Sequence, residues 1–387
     1  MSQLPPQLTV CPVCREPLEP SDNFCGGCGA ALAAAVPVPA GGHGTDRWRP
    51  DTPAAREAAE CREGPGGGAV PAQPGRGASP GRPCAACRSG MIDNDGYCEH
   101  CGHAQPRERD HMEHESAGVA AVSDRGLRHH RNEDAYAVST PQPAGGRPAV
   151  VAVVSDGVSS AARPDEASAA AVRAAHDVLV AELERGTAPR EATHTAIVHA
   201  AEAVTDLAAA PAGEAREHDP YRQVNSPACT VVSAVITGDL LTVGWVGDSR
   251  VYWVPDDRST QPARLTEDDS WAAQMVAAGL MSEAEAYADE RAHAITGWLG
   301  ADAYEVVPHT ASYHPDRPGV VIVCTDGLWN YAESAEEMAR VVPADARSRP
   351  LECARRLLAH ALDGGGHDNV TVAVLPFPAR PEGAGSA

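Results

Sequence analysis

CTVVSAVITGDLLTVGWVGD, residues 229–248, contains the clearest indication of the fold in this sequence. Two runs of apolar and β-branched residues flank Gly238-Asp239, and a two-residue loop of this kind between such runs is a strong signal for a β-hairpin. The second run ends at Asp248, so an acidic residue stands at the edge of a predicted strand. The stretch therefore predicts an antiparallel strand pair with a carboxylate at its end.

Apolar runs on either side of the hairpin predict further strands, and Ala-rich segments predict helices. Two of the predicted helices begin with a Pro, which suits the first turn of a helix. Strands occur in neighbouring groups instead of alternating regularly with helices, which predicts an α+β fold with antiparallel sheets. The predicted strands are 118–123, 148–156, 319–326 and 369–375, and the predicted helices are 164–184, 189–207 and 351–362.

Eight of the 12 cysteines form two modules of identical spacing, CPVC to CGGC and CAAC to CEHC. In each module two CxxC turns, ten residues apart, present four thiolates. This ligand set suits tetrahedral Zn²⁺ and leaves no open coordination position, which predicts two structural sites. The modules resemble the zinc-ribbon (double zinc ribbon) family. The predicted zinc ligands are Cys11, Cys14, Cys25, Cys28, Cys84, Cys87, Cys98 and Cys101.

Two alternatives for the cysteine modules are a redox dithiol and a set of disulfides. A redox CxxC usually stands alone before a helix, so a second CxxC after ten residues disfavours that reading. Zinc ribbons often bind nucleic acid, but these modules carry few basic residues, and docking of a protein partner is the better hypothesis.

Composition sets the predicted domain boundaries. Residues 31–80 are rich in Ala, Pro and Gly and have almost no apolar periodicity, so they cannot bury enough surface to offset chain entropy. The predicted organisation is zinc ribbon 1 at 11–29, a flexible linker at 30–83, zinc ribbon 2 at 84–103, a short polar linker at 104–116, a globular domain at 117–376 and a disordered tail at 377–387.

The charge balance excludes two classes of partner. The net charge is −22, from 53 acidic and 31 basic residues, whereas nucleic acids and anionic membranes are bound mainly by Lys and Arg. No apolar run is long enough to cross a bilayer, and the N-terminus lacks the basic start and apolar run of a secretion signal. We therefore expect a cytoplasmic protein with no nucleic-acid or membrane partner.

Acidic motifs stand at five predicted strand edges in the globular region. Asp-Gly is a common turn dipeptide, so any one motif has a simple reading as a turn, but five in succession make that reading improbable. Clustered carboxylates suit Mg²⁺ or Mn²⁺, and two such ions polarise a phosphoryl oxygen and activate a water. The sequence offers no GxSxG elbow, Cys-His pair or P-loop. The motifs are RNEDA (131–135), VVSDGVSS (153–160), VGDSRVY (246–252), VCTDGLW (323–329) and GHDNVTV (366–372).

The order of these motifs closely resembles the PPM-type (type-2C) serine/threonine phosphatase family, particularly its bacterial branch, over residues 118–375. The resemblance implies a four-layer α-β-β-α sandwich of two antiparallel sheets, here preceded by two small zinc ribbons. It also implies hydrolysis of phosphoserine and phosphothreonine by water activated at a binuclear Mn²⁺ or Mg²⁺ centre. Phosphoproteins that are substrates of a serine/threonine kinase are the expected partners.

The resemblance also implies roles for individual residues. Glu133, Asp156 and the Gly157 carbonyl would hold one metal, and Asp156, Asp326 and Asp368 the other, with Asp134 behind the ligands. Asp248 and Asp326 would hold a weaker third metal. Residues 271–302 would form a flap beside the site that helps to select substrates, and Asp269 stands where the family usually has His.

One position departs from the family pattern. Four residues before the Glu of the NED motif the family has a phosphate-binding Arg, and this chain has His129 there. A guanidinium grips phosphate bidentately and an imidazole does not, so either the adjacent Arg128 or His129 itself is the predicted phosphate binder. The departure leaves an alternative function open, a catalytically weak pseudo-phosphatase or scaffold that docks partners through its zinc ribbons.

Overall fold

The structure is a computed structural model that describes residues 87–88, 98–101, 105, 107–116, 118–143, 146, 148–209 and 225–378. The chain divides into two units, Met1–Gln105 and Pro106–Ala387. All the helices and strands named below belong to the second unit.

The helices and strands of the second unit follow one another in a mixed order after a short 3₁₀ turn at Glu108–Asp110. The helices are α1 (Pro164–Arg185), α2 (Pro189–Ala209), α3 (Trp271–Ala277), α4 (Glu283–Tyr287), α5 (Asp326–Trp329), α6 (Ala335–Val341) and α7 (Pro350–Asp363). The strands are β1 (His111–Ser116), β2 (Val119–Asp124), β3 (Ala135–Ser139), β4 (Ala149–Ser155), β5 (Ala228–Cys229), β6 (Val231–Thr237), β7 (Leu240–Val246), β8 (Arg250–Pro255), β9 (Ala263–Arg264), β10 (Leu299–Gly300), β11 (His309–Tyr313), β12 (Gly319–Cys324) and β13 (Val370–Phe377).

Within the described residues these strands form two large antiparallel sheets and one short pair. One sheet has the order β1-β2-β13-β12-β8-β9, the other has the order β11-β7-β6-β4-β3, and β10 pairs with β5. The predicted hairpin is present, because β6 and β7 pair with Thr237 opposite Leu240 around the Gly238-Asp239 loop. Gly238 has φ +65°, a conformation that favours glycine.

Strand β4 shows why the layers stack as they do, because its side chains alternate between two cores. Val151 and Val153 pack with helices α1 and α2, whereas Val150, Ala152 and Val154 pack against the facing sheet. A strand that is buried on both faces reads as a continuous apolar run, as this one does. A third core joins the outer face of the first sheet to α6 and α7. The unit is therefore a four-layer α-β-β-α sandwich, which confirms the predicted α+β fold with two antiparallel sheets.

One boundary in the predicted organisation is wrong. Residues 111–116, expected in a polar linker, form β1, which pairs with β2 from His111–Asp124 to Ser116–Val119. The strand lies at the sheet edge and is mostly exposed, so its sequence HMEHES lacks the apolar alternation that marks a half-buried strand. Arg355 of α7 clamps it through two bonds to Glu113, of 3.0 and 2.6 Å. The second unit thus begins near residue 106 and not at 117.

Residues 271–302, predicted as a flap, contain α3 and α4 around a small core of Ala272, Ala286 and Ala292. Ser270 and Ser282 begin these helices by accepting bonds from the backbone amides three residues later. In the part of the chain that the structure describes, no helix combines the length and the apolar character needed to traverse a bilayer.

Candidate active site

Five aspartates converge where strands of both sheets end on the same side. Each comes from a different loop, and together they occupy the segments before β3, after β4, after β7, after β12 and before β13. The other four carboxylates all lie near enough to Asp156 to repel its charge. These five residues are Asp134, Asp156, Asp248, Asp326 and Asp368.

The electrostatics of this cluster disfavour its ionised form. Burial, and after it the repulsion between neighbouring carboxylates, raises the pKa of Asp134 to about 8 and that of Asp326 to about 6. The same two causes raise the pKa of Asp156 and of Asp248 well above the usual range. Such a group of carboxyls is stabilised by positive charge placed among them.

Two oxygens in the cluster have no hydrogen-bond partner among the described residues. Oδ1 of Asp134 and Oδ1 of Asp326 are both buried and unpaired. Buried polar atoms normally have a partner, and a hard divalent cation takes carboxylate oxygens as ligands. The donor set, its negative charge and these two atoms therefore fit Mg²⁺ or Mn²⁺.

Asn369 joins the loops that carry the NED motif and Asp368. Its Nδ2 donates to the carbonyls of Arg125 and Arg131, at 2.8 and 3.0 Å, and its Oδ1 accepts from the Glu133 amide at 2.6 Å. Thr325 performs a similar role for Asp134, since its hydroxyl donates to Asp134 Oδ2 at 2.9 Å. These polar links hold the buried acidic loops in one arrangement.

Thr230 positions Asp156 through the backbone. The Asp156 amide donates to the Thr230 hydroxyl at 3.1 Å, and the Thr230 amide donates to the Asp156 carbonyl at 2.8 Å. The next residue must be small, because a Cβ on Gly157 would come within 2.6 Å of the Pro164 carbonyl oxygen and 2.8 Å of that of Glu133. Thr230 and Gly157 together fix the backbone around Asp156.

Glu133, a predicted metal ligand, has protein partners on both carboxylate oxygens. Arg131 Nε donates to one at 2.8 Å, and the Ser159 hydroxyl donates to the other at 2.8 Å. Arg131 also lies 3.6 Å from Asp165. Asp134, predicted to lie behind the ligands, is fully buried and borders the aspartate cluster.

The two candidate phosphate binders differ in position. His129 Nε2 lies 3.1 Å from Asp368 Oδ1, so this imidazole borders the cluster. Arg128 is exposed to solvent. The Arg125 guanidinium donates to the His129 carbonyl at 2.8 Å, which fixes the backbone of the loop.

Arg250 and Trp329 belong to two of the acidic motifs, VGDSRVY and VCTDGLW, but the sequence did not indicate roles for them. Arg250 is fully buried and grips Asp268 with bonds of 3.0 and 2.6 Å. Trp329 donates its indole N–H to the Asp248 carbonyl at 2.9 Å. The only sequence signal for them was their place within VGDSR and DGLW.

Asp269, which stands where the family usually has His, contacts three segments. Its carboxylate binds His309 Nε2 at 2.8 Å and accepts from the Gly247 amide at 2.9 Å. Its carbonyl accepts from the Thr296 amide in the flap at 2.7 Å. A Cβ on Gly297 would come within 2.8 Å of the Asp269 side chain, so the glycine leaves room for this arrangement.

In the first unit, three of the predicted zinc ligands lie together. The Sγ atoms of Cys87, Cys98 and Cys101 are all within 4.8 Å of one another, and those of Cys87 and Cys98 are 3.5 Å apart. The predicted ligands Cys11, Cys14, Cys25, Cys28 and Cys84 lie outside the described residues.

Comparison with known proteins agrees with this geometry. The family model described as Protein phosphatase 2C matches residues 127–360. The serine/threonine protein phosphatase PstP of Mycobacterium tuberculosis is 33% identical over 147 residues, 38% of this chain and 26% of PstP, so the chain spans about a quarter of the length of that relative. The serine/threonine phosphatase stp of Listeria innocua is 29% identical over 261 residues, 65% of this chain and 93% of stp.

Solved structures show the same architecture. The PPM Ser-Thr phosphatase MsPP from Mycobacterium smegmatis is 25% identical with a TM-score of 0.50, over 66% of this chain and 96% of MsPP. Stp1 from Staphylococcus aureus has a TM-score of 0.52 at 21% identity, over 70% of this chain and 98% of Stp1. Since the family model matches more than half of the chain, this protein belongs to the protein phosphatase 2C family.

Proposed function

We propose that this protein is a metal-dependent protein phosphatase that hydrolyses phosphoserine and phosphothreonine in phosphoproteins phosphorylated by a serine/threonine kinase. The observation that carries the proposal is the convergence of five aspartates with two buried, unpaired carboxylate oxygens. Membership of the protein phosphatase 2C family and the serine/threonine phosphatases among its relatives support the same substrate class.

In this proposal Asp156, Asp326 and Asp368 hold one Mn²⁺ or Mg²⁺ ion, and Glu133, Asp156 and the Gly157 carbonyl hold another. Asp248 and Asp326 together hold a weaker third ion. When bound, the ions neutralise the carboxylates, polarise the phosphoryl group and activate water for in-line attack. Glu133 would have to reach its ion while also accepting from Arg131 and Ser159, which suits a contact through water.

The residues of the chain itself bind and orient the phosphoryl group. His129 is the better candidate for the missing family Arg, because its ring borders Asp368 whereas Arg128 faces solvent. Arg131 offers a second positive charge near the site, held by Glu133 and Asp165. Substitution of His129 by Ala is therefore expected to raise KM more than substitution of Arg128 by Ala.

Hydrolysis of a chromogenic phosphate ester and of phosphopeptides, with Mn²⁺ and with chelator, tests the proposal. Asp326→Asn keeps the shape of the side chain but removes a shared ligand, and is expected to lower the rate by ~10³-fold or more. Asp239→Asn in the β6–β7 loop is the matched control, because its side chain is 91% exposed and it lies at the opposite end of β7 from Asp248. Equal rates for Asp326→Asn and Asp239→Asn would refute the proposal.

The second candidate function is a weak pseudo-phosphatase or scaffold, which the replacement of the family Arg by His129 favours. The same assay separates the two functions, since a scaffold shows no turnover that depends on Mn²⁺. Phosphotyrosine peptides serve as the substrate control, because the proposed enzyme is expected to prefer phosphoserine and phosphothreonine.

We also propose that Cys84, Cys87, Cys98 and Cys101 form a structural zinc site, and that the first module forms another with Cys11, Cys14, Cys25 and Cys28. The grouped Sγ atoms of Cys87, Cys98 and Cys101 support the site in the second module. We infer that the modules dock a protein partner and that a phosphatase domain follows from about residue 106. Elemental analysis is expected to find two zinc ions per chain and one in Cys98→Ser, and protein without zinc would contradict the proposal.

A further inference from the structure

A single indole connects two of the acidic loops. Trp329 is the last residue of α5, the short helix that begins at Asp326, and it is almost completely buried. Its Nε1–H donates to the backbone carbonyl of Asp248 at 2.9 Å. The loop carrying Asp248 and the helix carrying Asp326 are therefore joined by one hydrogen bond from a rigid side chain.

A buried arginine fixes the plane of that indole. The guanidinium carbon of Arg250 lies 3.6 Å from the centre of the Trp329 ring, and the Arg250 side chain is fully buried. Stacking of a desolvated guanidinium on indole is among the stronger cation–π contacts. Arg250 thus prevents the ring from turning away from the Asp248 carbonyl.

The arginine is itself held on its other edges. Asp268 accepts from Arg250 Nε and Nη2 at 3.0 and 2.6 Å, while Nη1 donates to the Tyr252 hydroxyl at 3.2 Å. The Tyr252 hydroxyl in turn donates to the carbonyl of Glu333 at 2.8 Å, in the segment that follows α5. The guanidinium fork, its carboxylate and the tyrosine leave the stacked ring little freedom to move.

The backbone that precedes Asp248 is held as well. The Gly247 amide donates to Asp269 at 2.9 Å, and Gly247 has φ +106°, a conformation that favours glycine. With Asp269 on one side and Trp329 on the other, the backbone that carries the Asp248 carboxylate has one position relative to Asp326.

We propose that Trp329 and Arg250 are positioning residues that set the separation of the Asp248 and Asp326 carboxylates, and thereby the affinity of the cation that needs both. This inference rests on the proposed cation site and deepens it. It predicts that the cation held by Asp156, Asp326 and Asp368 is affected much less, because among the described residues the indole N–H of Trp329 donates to the Asp248 segment and not to those of Asp156 and Asp368.

Binding of Mn²⁺ to the full chain, followed by titration calorimetry and by the EPR signal of free Mn²⁺, tests the inference. Trp329→Phe keeps a ring for stacking but removes the hydrogen-bond donor. It is expected to weaken the binding of the low-affinity class of Mn²⁺ ions ~10-fold and to leave the affinity of the tightly bound class unchanged. Arg250→Lys keeps the charge but loses the planar guanidinium, and is also expected to weaken the binding of the low-affinity class of Mn²⁺ ions.

Trp253→Phe is the matched control. Trp253 is a buried indole in the core between the sheets, 5.4 Å edge-on from the Phe377 ring, and its strand neighbours are Val321 and Ala263. It is expected to lower thermal stability without changing either class of Mn²⁺ ions. Thermal unfolding in chelator shows that each variant is folded before its binding is compared.

The outcomes separate this inference from the proposed function. If the wild type binds Mn²⁺ in two classes, and Trp329→Phe and Arg250→Lys match it while Asp248→Asn loses the weak class, the positioning role is wrong and the phosphatase proposal stands. If the wild type binds no Mn²⁺, or if Asp326→Asn binds it as the wild type does, the proposed cation site itself is wrong.

Discussion

Asp326→Asn is expected to stabilise the protein when no divalent cation is present, although it abolishes the proposed activity. The carboxylate of Asp326 is surrounded by Asp156, Asp248 and Asp368, and one of its oxygens is buried without a partner. Asparagine has the same shape and cannot ionise. The substitution therefore removes repulsion from the folded state while leaving the packing nearly unchanged.

The size of the effect follows from the pKa of Asp326, which burial and neighbouring charge raise from 3.8 to about 6. Because the folded form binds the proton more tightly than the unfolded form, the stabilisation is complete below about pH 4 and is lost as pH rises through about 6. Above that pH the ionised carboxylate lowers the free energy of unfolding by about 3 kcal/mol, and asparagine avoids this loss.

Urea unfolding of the wild type and Asp326→Asn in chelator, from about pH 4 to about pH 7.5, measures the difference. The variant should be about as stable as the wild type at the acidic end and about 3 kcal/mol more stable at the basic end. Adding Mn²⁺ at about 100 times its dissociation constant stabilises a protein by about 2.7 kcal/mol, so the wild type should recover most of the difference.

Asp239→Asn controls for the loss of one negative charge from a chain of net charge −22. Its side chain is 91% exposed, so neutralising it should change the free energy of unfolding by less than about 0.5 kcal/mol at any pH. If Asp326→Asn were no more stable than Asp239→Asn in chelator at neutral pH, the repulsion within the aspartate cluster would be absent.

Three other perturbations test particular contacts. Asp268→Ala removes the carboxylate that binds the fully buried Arg250 and should lower the free energy of unfolding in urea by about 3–5 kcal/mol. Adding Arg250→Met should restore part of this loss, because the unpaired buried charge is then gone. Equal stability of Asp268→Ala and the wild type would contradict this account. The hydrogen bond to Asp269 raises the pKa of His309 in the folded protein above its usual value of about 6.5. The stabilisation by this pair is therefore fully present below about pH 6.5 and is lost as the pH rises through the raised pKa of His309. The melting temperature of His309→Ala should accordingly fall further below the wild type at about pH 6 than at about pH 9, and a deficit independent of pH would refute the ion pair. A chain that begins at residue 117 lacks β1. Its free energy of unfolding, measured by urea titration, should be about 2 kcal/mol lower than that of a chain that begins at residue 106.

The parts of the fold that sequence analysis predicted are those buried on both faces or marked by a turn. Strand β4 and the β6–β7 hairpin had continuous apolar runs because each packs between two layers, and their predicted bounds agree with the structure to within two residues. Strand β1 was missed because its stability depends on a partner strand and on Arg355, about 240 residues away in sequence, which no local pattern reveals.

For the site, the sequence revealed which carboxylates belong together but not what holds them. The five aspartates were identified from the order of the acidic motifs along the chain, because each motif stands at the edge of a predicted apolar strand. The supporting contacts of Asn369 and Trp329 were not predictable, because they join loops that are far apart in sequence. Which of Arg128 and His129 borders the aspartate cluster depends on the conformation of one loop, so sequence alone left both open as candidate phosphate binders.

The position of β13 determines when this site comes into existence during synthesis. The strand runs from Val370 to Phe377, yet it lies in the interior of its sheet, between β2 and β12. Asp368, two residues before the strand, reaches the cluster only when this strand inserts. A ribosome that has made residues 106–360 has therefore produced most of the domain but not the complete aspartate cluster, and pairing of this kind between distant segments is slow. Under the proposed function, hydrolysis of phosphoproteins would begin only once this strand has inserted.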